Sequence, residues 1–287
     1  MIQDQPLFDL HVPGDWASGV IFGSPHSGSL YPDWFLAGTT LPRNVLRSSE
    51  DAFVDQLISA APDHGAAMLT ARYPRCLIDL NRGPDEIDPQ LVRGVPRHPL
   101  NQRTMAGLGV IPRVVTQGRV IHHSPIDRTE AERRINRYWR PYHGALATLI
   151  ASARARFGQA ILIDMHSMPR DALGHLSGSR PDIVLGNRHG LSASARISDA
   201  IAAAFETEGW HVRRNAPFAG AYIASAYGRP AQNIHVVQVE IDRSLYMDET
   251  TITPLPGFGE FAERMTRVVA ALSQLEAGGN SAVMAAE

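Results

Sequence analysis

The sequence of 287 residues contains no lysine; all 27 of its basic residues are arginine. Chemistry that needs an amine side chain is therefore excluded, whether a P-loop lysine, a Schiff-base lysine or a lysine general base. Kinase-like, pyridoxal-dependent and class I aldolase reactions fall with it. The single cysteine, Cys76, rules out an internal disulfide framework and fits a reducing compartment. No GxSxG is present, so the serine nucleophile of an α/β-hydrolase is absent as well. No apolar run approaches the roughly 20 residues of a membrane span. The opening MIQDQPLFDLHVPGDW carries early acids and lacks the basic and apolar regions of a secretory signal, so the expected location is the cytoplasm. A net charge of -2 offers no pull toward nucleic acid or an anionic membrane.

What is present reads as an ordinary globular α/β chain, 44% apolar and without repeats or a long Gly/Ser linker. Strand-like runs are expected at SGVIFGS (18–24), GAAMLTA (65–71), RCLIDL (75–80), ILIDMH, PDIVLGN, WHVRRN and NIHVVQVEID. Helices are expected at 48–61, where serine and acids open SSEDAFVDQLISAA, and at 124–158 with a bend at Pro141. Two more are expected, in SASARISDAIAAAFETEG and in GEFAERMTRVVAALSQLEAGG. This alternation predicts one α/β domain over 1–287, with a mixed, mostly parallel sheet and helices on both faces. Residues 82–123, rich in Gly, Pro and Arg, read as a long pocket-shaping loop region, and 280–287 as a frayed tail.

In such folds a site gathers at strand C-terminal ends. His26 follows one apolar run and His166 another, and Asp51 stands in the acidic segment between them. Two histidines and a carboxylate are the ligand set of a catalytic zinc site with an open position. Either histidine taken alone reads better as a loop residue bonded to backbone, Asp51 alone could be a helix-start acid favoured by the dipole, and Glu50 competes with it. Glu240 alternates with Val239 and Ile241, which puts it with Gln238 on one strand face, where it could serve as general base or as an arginine's partner. Asn81 and Arg82 leave an apolar run as a possible carboxylate clamp, or as a turn with a surface ion pair. Arg75 could polarise a carbonyl, and Arg188 and Arg229 are spare carboxylate binders. Tyr138 to His143 reads as helix packing, His122-His123 as solvated, and Cys76 as buried and inert.

Taken together, these residues resemble the N-formylglutamate amidohydrolase family. PHSG at 25–28, the acids Asp51 and Asp55, RCLIDLNR at 75–82, DMHSMP at 164–169 and QVEIDRSLYMDE at 238–249 occur in family order. The resemblance implies a fold like that of the zinc exopeptidases and aspartoacylases. It implies His26, Asp51 and His166 as ligands of Zn2+ or another divalent transition metal, Glu240 as general base and acid, and Arg75 as carbonyl polariser. It implies Asn81-Arg82 as the clamp on the substrate α-carboxylate, with Arg188, Arg229 or Arg243 left for a second carboxylate. The implied reaction is hydrolysis of a small N-acyl amino acid, N-formyl-L-glutamate to formate and L-glutamate, as in histidine degradation. Another N-acyl amino acid or short peptide, or metal-free carboxylate binding, are the alternatives. The segment RTMAGLGVIPRVVTQGRVIHH (103–123) departs from the family pattern, a Thr-rich stretch leading to a Phe-Asp-Gly turn, and is expected to shape the pocket.

Overall fold

The computed structural model describes residues 5–95, 102–174 and 179–276, so the expected tail at 280–287 lies outside the described residues. Seven strands form one mixed sheet: β1 (Phe8–His11), β2 (Val20–Ser24), β3 (Ala67–Ala71), β4 (Ala160–Met168), β5 (Ile183–Gly186), β6 (Val212–Arg214) and β7 (Ile234–Asp242). Their order is β1-β3-β2-β4-β7-β5-β6. The central strands β3, β2, β4 and β7 run parallel. At one edge β1 is antiparallel to β3; at the other β5 is antiparallel to β7, with β6 parallel to β5.

Side-chain alternation divides the apolar residues between two layers. Ile21, Leu162 and Val236 pack under the helix α2 (Arg140–Phe157), against Tyr142, Leu146 and Ile150. Phe22, Ile163 and Val239 face the opposite layer, α3 (Ala195–Thr207) and α4 (Phe258–Ser273), through Ile201, Phe205, Met265 and Val269. Helices cover both faces, as a largely parallel sheet requires. Ahead of α2 the chain forms α1 (Arg128–Arg134) and then a wide turn over Ile135–Trp139, in which Arg140 N–H bonds back to Ile135 O. Pro141, which has no N–H to give, opens α2 directly after this turn.

Two expected elements take a different form. Residues 48–61 are not a continuous helix. The Asp51 N–H is held by His26 O at 3.0 Å, Phe53 is left-handed at φ 68, and the helix runs only from Val54 to Leu57. The RCLIDL run is not a strand either. Pro74 starts a turn, with Leu77 N–H on its carbonyl at 3.0 Å, and Asp79 N–H crosses to Val110 O at 2.8 Å. The outer edge of β3 is already taken by β1, a strand that the sequence pattern did not announce. Cys76, Leu77 and Ile78 are buried as irregular core instead.

Gly28 shows how closely the β2 exit is packed. A Cβ there would stand 2.2 Å from Tyr73 O and 2.6 Å from the Arg72 carbonyl carbon. Both are backbone atoms, which cannot swing aside. Gly28→Ala is therefore expected to destabilise the protein by about 1–3 kcal/mol, the usual cost of overpacking. Urea unfolding measures this directly, and an unchanged midpoint would contradict the packing argument.

Candidate metal centre and active-site cavity

The parallel strands β2, β4 and β7 deliver His26, His166 and Glu240 to the same end of the sheet, the C-terminal end at which such folds place their sites. The β4–β7 register sets Asp164 beside Gln238 and His166 beside Glu240. Since alternate residues share a face, all four side chains fall on one side. Asp51 arrives from the loop after β2, tied to that strand's exit by its bond to His26 O.

His26, Asp51 and His166 each offer a ligand atom, all within 4.8 Å of one another, and all three are buried. His26 Nε2 lies 2.7 Å from Asp79 Oδ1, which fixes the ring proton there and leaves the Nδ1 lone pair facing Asp51 Oδ2 at 3.5 Å. That Nδ1 is a buried atom without a hydrogen-bond partner. His166 repeats the arrangement: Nε2 is 3.1 Å from Asp164 Oδ2, and Nδ1 is 2.9 Å from the same Asp51 oxygen. With each ring donating its Nε2 proton to its own carboxylate, both Nδ1 lone pairs and Asp51 Oδ2 would point at one place; His166 Nδ1 is also within hydrogen-bond distance of Asp51, at 2.9 Å. A divalent cation fits this donor set, and carboxylates behind ligating histidines are what orient such rings.

The rest of the centre braces these three side chains. Arg243 donates to Asp51 Oδ1 at 3.0 Å, to Ser167 Oγ at 3.0 Å and to Ser48 O at 3.0 Å. Asp51 Oδ2 is thus left for the histidine side. Glu50, the competing carboxylate, points into the core, accepting from Tyr31 OH at 2.7 Å and from Arg47 at 3.1 Å. Arg75 donates to Asp79 Oδ2 at 2.8 Å. Burial would raise the Asp79 pKa, but Arg75, His26 and Arg82 together hold it well below the usual carboxylate range. Gln238 donates to Glu240 Oε1 at 2.6 Å and accepts from Ala221 N–H at 2.9 Å. Burial raises the Glu240 pKa, with His166, Gln238 and Arg75 opposing and Asp51 reinforcing the rise.

These groups open on a cavity of about 480 Å³, into which Glu240, Arg75 and Arg82 all face. Its outer wall comes from 103–118 and includes Arg103, Leu108, Val114 and Thr116. Asn81 lines the cavity, but its amide is already engaged. Its nitrogen lies 3.1 Å from His166 Nε2, 3.3 Å from Asp164 Oδ2 and 3.4 Å from Gln238 Oε1, and its oxygen accepts from Ile223 N–H at 2.8 Å. Asn81 is a brace in this geometry, and Arg82 carries the free donors of the expected clamp. Arg82 is itself fastened by bonds to Leu108 O and Asn81 O, both 2.9 Å. The segment is gripped from α2 and its preceding turn, where His143 bonds Leu80 O at 2.8 Å and Trp139 bonds Arg82 O at 2.9 Å.

The spare arginines lie elsewhere. Arg188 lines a smaller adjoining cavity and not the main one. Arg229 does not line the main cavity; it caps its own neighbourhood through Ser225 O and Gly228 O. Arg243 is taken up by Asp51. His122 and His123 border a separate cavity beside Trp34 and Phe35. Cys76 is buried with its thiol pushed up to about 12 by burial, which fits an inert residue. Sequence reasoning missed Asp164, the bracing role of Asp79, and Arg103. The position of Asp164 two residues before His166 on a strand was the available signal.

The model of a family described as N-formylglutamate amidohydrolase matches residues 18–247. An N-formylglutamate deformylase of Pseudomonas putida is 33% identical over 235 residues, which is 80% of this chain and 82% of that protein. The deformylase of Pseudomonas aeruginosa is 32% identical over 237 residues, with the same coverage. The crystal structure of N-formylglutamate amidohydrolase from Ralstonia eutropha JMP134 superposes with a TM-score of 0.88 at 35% identity, covering 93% of this chain and 97% of that one. A protein from Agrobacterium tumefaciens shares the fold, with a TM-score of 0.61 at 18% identity over 94% of this chain and 97% of that one. The chain belongs to the N-formylglutamate amidohydrolase family.

Proposed function

We propose that this protein is a metal-dependent amidohydrolase, using zinc or a similar divalent ion, that cleaves N-formyl-L-glutamate to formate and L-glutamate. The observation that carries the reading is the convergence of His26, Asp51 and His166 donor atoms on one point, with Glu240 on the same cavity wall. The substrate is taken from the names of the relatives. The cytoplasm and histidine degradation, as setting, belong to the same proposal and rest on the family resemblance.

His26, Asp51 and His166 would hold the ion. When bound, it would polarise the formyl carbonyl and acidify a water. Glu240 takes the proton from the water as its oxygen attacks the formyl carbon, and returns it to the nitrogen as the C–N bond breaks. Gln238 fixes the Glu240 carboxylate for both transfers. Arg75, steadied by Asp79, supports the negative charge that builds on the carbonyl oxygen. Arg82 takes the α-carboxylate and so sets the amide in place for attack. A second reading, a bulkier N-acyl amino acid, draws on the apolar wall of Val114, Val115, Met168 and Phe218. Formate and acetate release from a panel of N-formyl and N-acetyl amino acids separates the two.

Purified protein is expected to carry close to one equivalent of zinc or a similar ion, by elemental analysis. Asp79→Asn, which weakens the hold on the His26 ring, should lower metal affinity about 10- to 100-fold in chelator competition. A fully active protein that holds no metal would sink the mechanism. Glu240→Gln should retain its metal and lose turnover by about 10²- to 10⁴-fold, the range of a general acid–base group. Activity surviving that change would put the base elsewhere.

A further inference from the structure

We propose that Arg103 binds the side-chain carboxylate of the substrate and selects a dicarboxylic N-acyl amino acid over a neutral one. This rests on the amidohydrolase reading above and names the residue that determines its specificity.

The charges along the cavity wall make the first argument. Asp51, Asp79 and Glu240 line it, and so do Arg75, Arg82 and Arg103, so fixed charges of the two signs cancel. A divalent ion in the centre leaves two positive charges unanswered, which matches a substrate with two carboxylates and exceeds what a monocarboxylate supplies.

The second argument is which guanidinium groups are free. Arg75 is paired with Asp79 at 2.8 Å. Among the described residues, the Arg82 side chain bonds the backbone carbonyls of Leu108 and Asn81. Arg103 has no side-chain hydrogen bond or ion pair among the described residues, and it is exposed on the short helix Gln102–Met105. Arg82 and Arg103 are close enough that, after burial, Arg103 is among the charges that lower the Arg82 pKa. Asp79 and Glu86 act the other way on Arg82, but a carboxylate placed at Arg103 would be drawn by both guanidinium groups at once.

Position supplies the third. Arg82, Arg103 and Ala221 line both the main cavity and a smaller one of about 430 Å³, and so stand where the two meet. Arg188 and Glu86 line only the smaller one. For a substrate with its amide at Glu240, Arg82 and Arg103 are the guanidinium groups that line both cavities, whereas Arg188 lines only the smaller one. The buried, fastened Arg82 suits the α-carboxylate, whose place is fixed. The exposed Arg103 suits the carboxylate at the end of a flexible side chain.

N-formyl-L-glutamine, which replaces that carboxylate with a neutral amide of nearly equal size, is the probe. Dissociation constants for N-formyl-L-glutamate and N-formyl-L-glutamine are measured by calorimetry on metal-loaded Glu240→Gln protein, with and without Arg103→Ala. Arg103→Ala is expected to weaken the glutamate compound about 10- to 100-fold, the worth of a charged hydrogen-bonded pair, and to shrink its advantage over the glutamine compound by the same factor. Arg103→Lys should recover part of that advantage. Equal weakening of both compounds would overturn the proposal, as would the selective loss arising from Arg188→Ala instead. If the parent enzyme releases formate equally well from both compounds, the assignment of Arg103 fails while the amidohydrolase reading stands. If the selective loss is seen in binding but no formate is released by the wild-type protein, the reaction is wrong and the assignment of Arg103 stands.

Discussion

The in-register parallel pairing of β4 and β7, nine residues each, is the constraint on which the site depends. Parallel strands keep matched positions side by side, so His166 and Glu240 take their separation from backbone hydrogen bonds and not from side-chain contacts. A slip of one residue would turn Glu240 into the apolar layer of Val237 and Val239, and Val239 into the cavity. The unbroken apolar residues on the other face therefore hold the geometry of the candidate site as well as the core.

Burying this many charges is costly unless each is answered. The chain meets the requirement by giving each of the three side chains its own support, Asp79 behind His26, Asp164 behind His166 and Arg243 behind Asp51. The supports are tied in turn: Asp79 to Arg75, and Arg243 to Ser167 and Ser48 O. Rings and carboxylate are thus held in place by neighbours that are themselves fixed, which is the preorganisation an electrostatic catalyst needs.

Much of this was legible in the sequence, and the limits have physical causes. The strands carrying His166 and Glu240 announce themselves through apolar runs and period-two alternation, and the two-layer sheet follows from them. The His26 turn and Asn81-Arg82 were visible as polar residues ending apolar runs. The helix at 48–61 was misread because SSED has the composition of a helix start. Its acids instead serve Arg243 and Tyr31, and Asp51 N–H is claimed by His26 O. The RCLIDL run looked like a strand because burial and strand propensity leave the same apolar signature. Only the occupied edge of β3 decides the matter, and that edge is occupied by residues some sixty positions away. Arg103 carried no signal, since a partnerless guanidinium cannot be told from a surface charge until the cavity beside it is known.

Among the described residues, the basic side chains on the cavity wall other than the two histidines are guanidinium groups. An ammonium would be a modest nucleophile once deprotonated, able to capture an acyl group and stay acylated. Guanidinium does not lose its proton under conditions in which proteins stay folded. A cavity built this way keeps its attraction for carboxylates across the whole working pH range, so under the proposed mechanism acid–base behaviour would belong to the groups around Glu240 and not to the arginines. It also handles acyl groups without containing an amine that could be poisoned by them.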